Sequence, residues 1–314
     1  MSSQSLIYNI GQVVHGSMPS GSSDMTSVIV FVHGNTGKMS DFWTANNNNI
    51  SALATKYGFA NCFVNLDPRG SIKANALVLT QQLKQIVTVY CVQKCILICH
   101  GKGSIDAEGA IYYNNADTYI DRVITLGTPF WGSPFSDVLY DTIFTLKLPE
   151  IWKNSAQYDL QTSEMMKFRS LYDNSTKNVQ FFCVGGTGTD TSAEFEQGTL
   201  KLFMNNIGSN DDSVLLKSTQ RPKCAFIASL PYYHDQLAQG SKIWDHIALY
   251  LTGNVPTGTQ ITPQDYNGAV THSQVQYATK QVPKEIFEGE STRLVYFIIS
   301  IFVIFVIYVL YKIL

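Results

Sequence analysis

The sequence predicts an α/β fold, a mostly parallel sheet with helices on both faces, and three observations carry that reading. Residues 27–32 (Ser-Val-Ile-Val-Phe-Val) form a continuous, β-branched apolar run, as expected of a strand buried on both faces. Strand-like and helix-like segments then alternate, the order that gives a parallel sheet with crossover helices. At 314 residues the chain is long enough for one large α/β domain. Such a domain buries about 75% of its unfolded surface, so no second domain is required.

Taken in order, the first strand ends in His33-Gly34, and a polar loop follows that includes the asparagine run 46–49. Residues 51–57 read as a helix, 60–66 as a strand, Asp67-Pro68-Arg69-Gly70 as a turn and 72–87 as a helix. Residues 95–99 form the next strand, 104–113 a helix and 122–127 another strand. From 131 to 177 the pattern loosens into an insertion containing the apolar run 138–144, and strand signals return at 180–186 and 224–228. The region 252–289, rich in Thr, Gln, Asn and Pro, has little apolar periodicity. The expected organisation is a domain at 1–255 with its insertion at 131–177, a polar tether at 256–293 and an anchor at 294–314. No internal repeat is visible.

The anchor rests on residues 294–311 (LVYFIISIFVIFVIYVLY), which carry no charge. As a helix this run is about 27 Å long, close to a bilayer core. A buried core helix would keep a polar stripe, and here only Ser300 and tyrosines interrupt the apolar surface. The N-terminus lacks the basic region and apolar core of a signal peptide. Together these predict a single-pass tail anchor with the domain facing the cytosol. The six cysteines lie mostly in apolar runs and are expected to be free thiols in a reducing compartment. On the cytosolic side the sequons at Asn49 and Asn174 would stay unmodified. With 22 basic against 24 acidic residues there is no basic field for nucleic acid. No metal-ligand spacing is present, and no cofactor is expected.

Several segments resemble α/β-hydrolase-fold lipases, over roughly residues 27–250. His33-Gly34-Asn35 looks like the HG oxyanion motif of that family, and Asp67-Pro68-Arg69-Gly70-Ser71 like the turn after its next strand. Leu126-Gly127-Thr128-Pro129-Phe130-Trp131-Gly132-Ser133 is similar to its G-T-P-x-x-G-S element. Asn210-Asp211-Asp212-Ser213-Val214 resembles the segment that presents the acid, and Pro231-Tyr232-Tyr233-His234-Asp235 falls where the histidine follows. Residues 96–107 have the pattern of a nucleophile elbow, an apolar strand, a tight turn between small residues (Cys99, Gly103) and a helix, but Gly101 stands where the serine belongs. The resemblance implies Asp211 and His234 as acid and base, with the main-chain N–H groups of Asn35 and Lys102 as oxyanion hole. It also implies that the insertion at 131–177 acts as a lid over an apolar pocket. Plainer readings stand beside these: Asp211 as a turn residue, His246 as rival to His234, and His100 as packing beneath the elbow.

Glycine has no atom with which to attack an ester. Loss of a triad nucleophile alone costs on the order of 10⁶ in kcat, leaving about 10³ over water from the oxyanion hole and binding. Ser104 and Cys99 are poor substitutes, since one opens the helix and the other lies inside the strand. Two function classes follow. One is a pseudolipase that keeps the acyl pocket and binds a lipid, an acyl ester or a protein partner; the other is a weak or unconventional ester hydrolase of membrane lipids, with a water activated by His234 as one route.

Overall fold

The computed structural model describes residues 10–19, 27–35, 42–43, 49–137, 140, 154–173, 175–177, 179–188, 204–205 and 207–251. Seven strands among them form one sheet: β1 (Val13–His15), β2 (Val28–Val32), β3 (Ala60–Val64), β4 (Cys95–His100), β5 (Ile120–Leu126), β6 (Gln180–Gly186) and β7 (Cys224–Leu230), in the spatial order β1-β3-β2-β4-β5-β6-β7. All neighbouring pairs are parallel except β1 with β3. Strands β2 and β4 are direct neighbours, with Val32 opposite Cys99. Chain order reverses there: from β2 the chain moves to one side and from β4 to the other, the arrangement that opens a crevice at the carboxyl ends of parallel strands.

The helices are α1 (Ile50–Lys56), α2 (Ile72–Val89), α3 (Lys102–Asn114), α4 (Ser155–Asp159), α5 (Thr162–Tyr172) and α6 (Gly240–Ile247). Successive strand residues point to opposite faces, and two cores result. Val28, Val30, Val32, Leu97 and Cys99 pack against α2, α3 and α5 through Leu79, Leu83, Ile105, Ile111 and Met165. Ile29, Phe31, Ile96 and Ile98 pack against α1 and α6 through Ile50, Ala54, Ile243 and Trp244. All five residues of β2 are fully buried, which explains why its sequence shows no alternation. Helix α2 begins at Ser71, whose hydroxyl accepts the Ala74 amide at 3.1 Å.

Beneath the first core lies an island of buried charge. Glu108 on α3, fully buried, faces Arg169 of α5 and Arg221 of the segment before β7, both at 3% exposure or less. Arg169 Nη1 donates to Glu108 Oε1 at 2.8 Å, its Nη2 pairs with Oε2, and Arg221 Nη1 lies 2.7 Å from Oε1. Arg221 also stacks 4.4 Å from the Phe181 ring and Arg169 4.9 Å from that of Phe168. One carboxylate thus ties three chain segments together in a space that excludes water.

Sequence and structure differ in several places. Helix α3 starts at Lys102, two residues earlier than expected, because the turn at Gly101 caps it directly. Strand β1 was not foreseen: three residues on the sheet edge leave too short a pattern. The expectation of six free thiols is corrected, because Cys183 of β6 and Cys224 of β7 form a disulfide; Cys62, Cys91, Cys95 and Cys99 are free. The two strands pair side by side with Phe181 opposite Cys224, an adjacency hidden by a separation of 41 residues. Among the described residues no helix is long and apolar enough to cross a membrane. The expected anchor, the tether and most of the apolar run 138–144 lie outside the described residues.

Candidate active site

The motif residues collect at the carboxyl ends of the parallel strands. His33-Gly34-Asn35 follows β2, Gly101 follows β4, Gly127 follows β5, and His234 follows β7, while Asp211 stands on the segment between β6 and β7.

Gly101 makes the turn from β4 to α3 with φ 51° and ψ −125° and donates its amide to the Leu126 carbonyl at 2.9 Å. This is the left-handed region, costly for a residue with a side chain. A Cβ built on Gly101 would lie 3.0 Å from His234 Nε2, so the turn presents the α-carbon to the histidine.

His234 and Asp211 are joined side chain to side chain and backbone to backbone. His234 Nδ1 lies 2.9 Å from Asp211 Oδ2, and the His234 amide donates to the Asp211 carbonyl, also at 2.9 Å. Asp211, fully buried, uses its other oxygen to accept the amides of Val214 at 2.7 Å and Ser213 at 3.1 Å. Asp211 thus organises its own turn with one oxygen and contacts His234 with the other. Burial disfavours charge on His234, but the Asp211 carboxylate and Asp235 outweigh it and hold the imidazole above its ordinary value of 6.5. The rival His246 is exposed on α6 and has no part in the cluster.

Two further histidines support the site. His100 is almost fully buried and donates from Nε2 to the His234 carbonyl at 2.9 Å; its ring lies 4.4 Å from that of His234 and 4.7 Å from that of Phe42. Burial, with His234 nearby, pushes its pKa well down, so it is a neutral prop for the His234 backbone, more than mere packing. His33 donates from Nδ1 to the Gly34 carbonyl at 2.9 Å and accepts the Leu66 amide on Nε2 at 3.1 Å, and burial lowers its pKa to about 4.

Residues 34–35 run beside the elbow: a Cβ on Gly34 would lie 2.8 Å from the His100 carbonyl and 3.4 Å from the Lys102 amide. Asn35 is exposed, and Lys102 is the first residue of α3, where main-chain N–H groups have no partner within the helix. The Lys102 side chain turns away from this opening. Its ammonium is buried and contacts Asp106 Oδ1 at 2.6 Å, Asp106 Oδ2 accepts from Asn75 at 2.9 Å, and Asn75 clasps the Asp67 main chain on both sides. Burial raises Asp106 to about 6, against the opposing pull of Lys102 and Asn75. This network was not foreseen; the Lys-x-x-x-Asp spacing on one helix was its only trace in sequence.

Ser104 and Cys99 are both committed elsewhere. Ser104 is fully buried, with its hydroxyl on the Cys99 carbonyl at 3.2 Å and the Thr128 hydroxyl at 2.6 Å. Cys99 is enclosed in β4, and burial raises its thiol well above the ordinary value. Gly127, in the segment after β5, closes on the same Asp211–His234 pair. With φ 59°, it lets the backbone approach so closely that a Cβ would stand 2.9 Å from both Asp211 Oδ2 and His234 Nδ1. Among the described residues no group of His, Cys, Asp and Glu is arranged to hold a metal ion.

The chain is similar in structure to the lipase BlEst2 of Bacillus licheniformis. Its mature form superposes with a TM-score of 0.70 at 28% identity, covering 78% of this chain and 99% of that one. The propeptide form gives 0.71 at 29% over 81% of this chain; this chain spans 56% of its length. No family model and no curated protein matches the sequence. The likeness and the parallel sheet define the class: this is an α/β-hydrolase fold of the lipase kind.

Proposed function

We propose that this protein is a lipase-like pseudoenzyme that binds a lipid or acyl ester without turning it over. In this reading Gly101 occupies the nucleophile position, Asp211 and His234 are the retained acid and base, and the amides of Asn35 and Lys102 form the oxyanion hole. One observation carries it: His234 Nε2, backed by Asp211, faces at 3.0 Å the point where a residue-101 side chain would begin. The similarity to a lipase supports acyl compounds as the ligand class. A weak hydrolase that activates water on His234 is the second reading, favoured by the same aim of Nε2.

The decisive comparison is the full-length protein against Gly101→Ser and Gly101→Ser/His234→Ala, assayed on short- and long-chain p-nitrophenyl esters. Wild type is expected to be near background, the single variant at least about 10³-fold faster, and the double variant near background again. Wild-type turnover at enzyme-like rates, unchanged by the serine, overturns the reading.

The same proposal places residues 294–311 as a C-terminal membrane anchor with the domain in the cytosol. The Cys183–Cys224 bond favours the opposite, oxidising side as a second reading. Protease protection of the domain in intact membranes, or glycan on Asn174, selects the second.

A further inference from the structure

We propose that the end of the domain opposite the Gly101 turn, where the parallel strands begin and the helices finish, is a docking face for an anionic lipid bilayer. The inference deepens the reading of residues 294–311 as a membrane anchor by naming the surface that meets the membrane, and its own evidence lies in the folded domain.

The face follows from the topology. Strands β2 to β7 are parallel, so their first residues share one end of the molecule with the last turns of the helices that return between them. Large apolar side chains stand exposed at that end: Tyr57 just past α1, Val89 closing α2, Tyr113 and Leu171 in the last turns of α3 and α5, and Leu249 two residues past α6. Val89, Leu171 and Leu249 are 62%, 69% and 64% exposed, so they cover almost nothing within the domain. A helix C-terminus is otherwise a place for cations and polar groups. Exposed apolar residues gathered at one end, instead of scattered singly, mark an interaction surface.

Lysines stand among these groups, in the approaches to four strands: Lys56 before β3, Lys94 before β4, Lys177 before β6 and Lys223 before β7. Contacts join three of them into one belt. Lys94 Nζ donates to the Asp117 and Ile120 carbonyls at 3.0 and 3.3 Å, Lys177 Nζ to Asn115 Oδ1 at 2.7 Å and Asp117 Oδ1 at 2.9 Å, and Lys223 Nζ to the Ser175 carbonyl at 3.3 Å. The carboxylates nearby are matched, Asp117 by Lys177, Asp121 by Arg122 and Asp173 by Arg169, while Asp245 is exposed on α6 beside the exposed His246. Lys94 and Lys223 meet only neutral carbonyls in these contacts, and Lys56 is exposed beside a groove that Met18 and Gly58 also line. Their positive charge is left for something outside the domain.

The chemistry of the face selects its occupant. Protein interfaces are depleted of lysine, whereas a bilayer offers an apolar interior behind a negative skin of headgroups, which suits apolar side chains interleaved with lysines. The path of the chain agrees. The Tyr250 carbonyl accepts from Arg122 near the start of β5 at 3.1 Å, so the domain ends at this same face, and residues 252–293 lead from it to the uncharged run. The Gly101 turn follows β4 at the other end. A domain seated in this way presents its site to the aqueous phase and not to the bilayer that carries it.

Cys91 supplies a native reporter: it is an exposed free thiol at this end, between α2 and β4, and Cys62, Cys95 and Cys99 are buried. The full-length protein, labelled there with bimane, is reconstituted in phosphatidylcholine/phosphatidylserine vesicles that contain a doxyl-lipid quencher. The comparison is Cys91→Ser/Tyr158→Cys, labelled on α4, which packs beside the turn at the carboxyl end of β3 through the bond from the Ala156 amide to the Arg69 carbonyl. The label at 91 is expected to be quenched at least about threefold more than the label at 158, and to lose most of that quenching in pure phosphatidylcholine, in high salt and in Lys56→Glu/Lys223→Glu. If the lysine variant fails to fold, the salt and lipid series on the wild-type sequence decide alone. Alkaline carbonate extraction reads the anchor separately: a chain that carbonate removes, yet that is quenched at 91 on anionic vesicles, refutes the anchor and leaves the docking face standing. Equal quenching of the two labels, no quenching, or quenching indifferent to phosphatidylserine and salt overturns the proposal even where the chain resists extraction. Unquenched Cys91 emission that shifts with protein concentration assigns the face to a second copy of the chain and overturns it likewise.

Discussion

Asp211 and His234 are linked at two levels, Oδ2 to Nδ1 and carbonyl to amide, both at 2.9 Å. The backbone link places the histidine before its side chain is considered, so imidazole orientation does not depend on the carboxylate alone. In a Gly101→Ser background, Asp211→Asn should therefore leave the fold and the position of residue 234 intact. It should still cost up to about 10⁴ in kcat, because an amide no longer fixes the tautomer or stabilises the imidazolium. Esterase rates with unchanged circular dichroism provide the check.

The pH profile of the same Gly101→Ser protein follows from the raised value of His234. A general base works only when neutral. The rate should accordingly rise with pH through an inflection above the ordinary histidine value of 6.5. An inflection below 6.5 would contradict the electrostatic arrangement of Asp211 and Asp235 around the ring.

Gly127 stands so close to the Asp211–His234 contact that any side chain there must displace one of them. Gly127→Ala combines that overlap with φ 59°, unfavourable for alanine. It should destabilise the protein by about 1–3 kcal/mol and, in the Gly101→Ser background, lower kcat well beyond what the stability loss explains. Denaturant midpoints and single-turnover rates separate the two effects.

The elements most legible in sequence are those buried on both faces. Strands β2 and β4 are unbroken apolar runs because helices cover them above and below, and such runs have few alternative structures. The pairing of His234 with Asp211 was legible only through the resemblance to lipases, whose segments and chain order point to both positions; turn chemistry alone gave Asp211 a plainer reading. Contacts made across long separations left no pattern. Glu108 meets Arg169, 61 residues on, and Cys183 meets Cys224 only because β6 and β7 lie together. Each of these residues looks ordinary in its own segment. The Lys102 side chain was obscured differently, since a lysine at a helix start reads as solvated until burial and Asp106 are seen.

Glu108→Ala would remove the carboxylate shared by two buried arginines, leaving Arg169 only Asp173, 3.1 Å from its Nη1, and Arg221 no carboxylate in direct contact among the described residues. The expected cost is about 3–5 kcal/mol. Replacing Glu108, Arg169 and Arg221 together by apolar residues of similar volume should recover most of that loss, which chemical denaturation of the single and triple variants measures.

The disulfide can be counted directly. Alkylation of the unfolded, unreduced protein should modify four cysteines, and all six after reduction. For a separation of 41 residues the chain-entropy model assigns the crosslink about 4 kcal/mol, so the thermal midpoint should drop clearly in reductant. Six reactive thiols without reduction would return the protein to the reducing-compartment picture.

The insertion enters and leaves the domain through a closed gate. Asp137, on its way out of the core, accepts from both the amide and the hydroxyl of Thr162 at 2.9 and 2.8 Å, while the Ser133 amide donates to the Leu160 carbonyl at 3.0 Å. A few residues further, Arg169 rivets the returning helix to α3. The two stems are thus fastened to each other independently of whatever lies between residues 138 and 153. The consequence is that the connection of this stretch to the scaffold that carries the Gly101 turn is made at one clasped point, by residues 133–137 and 160–169.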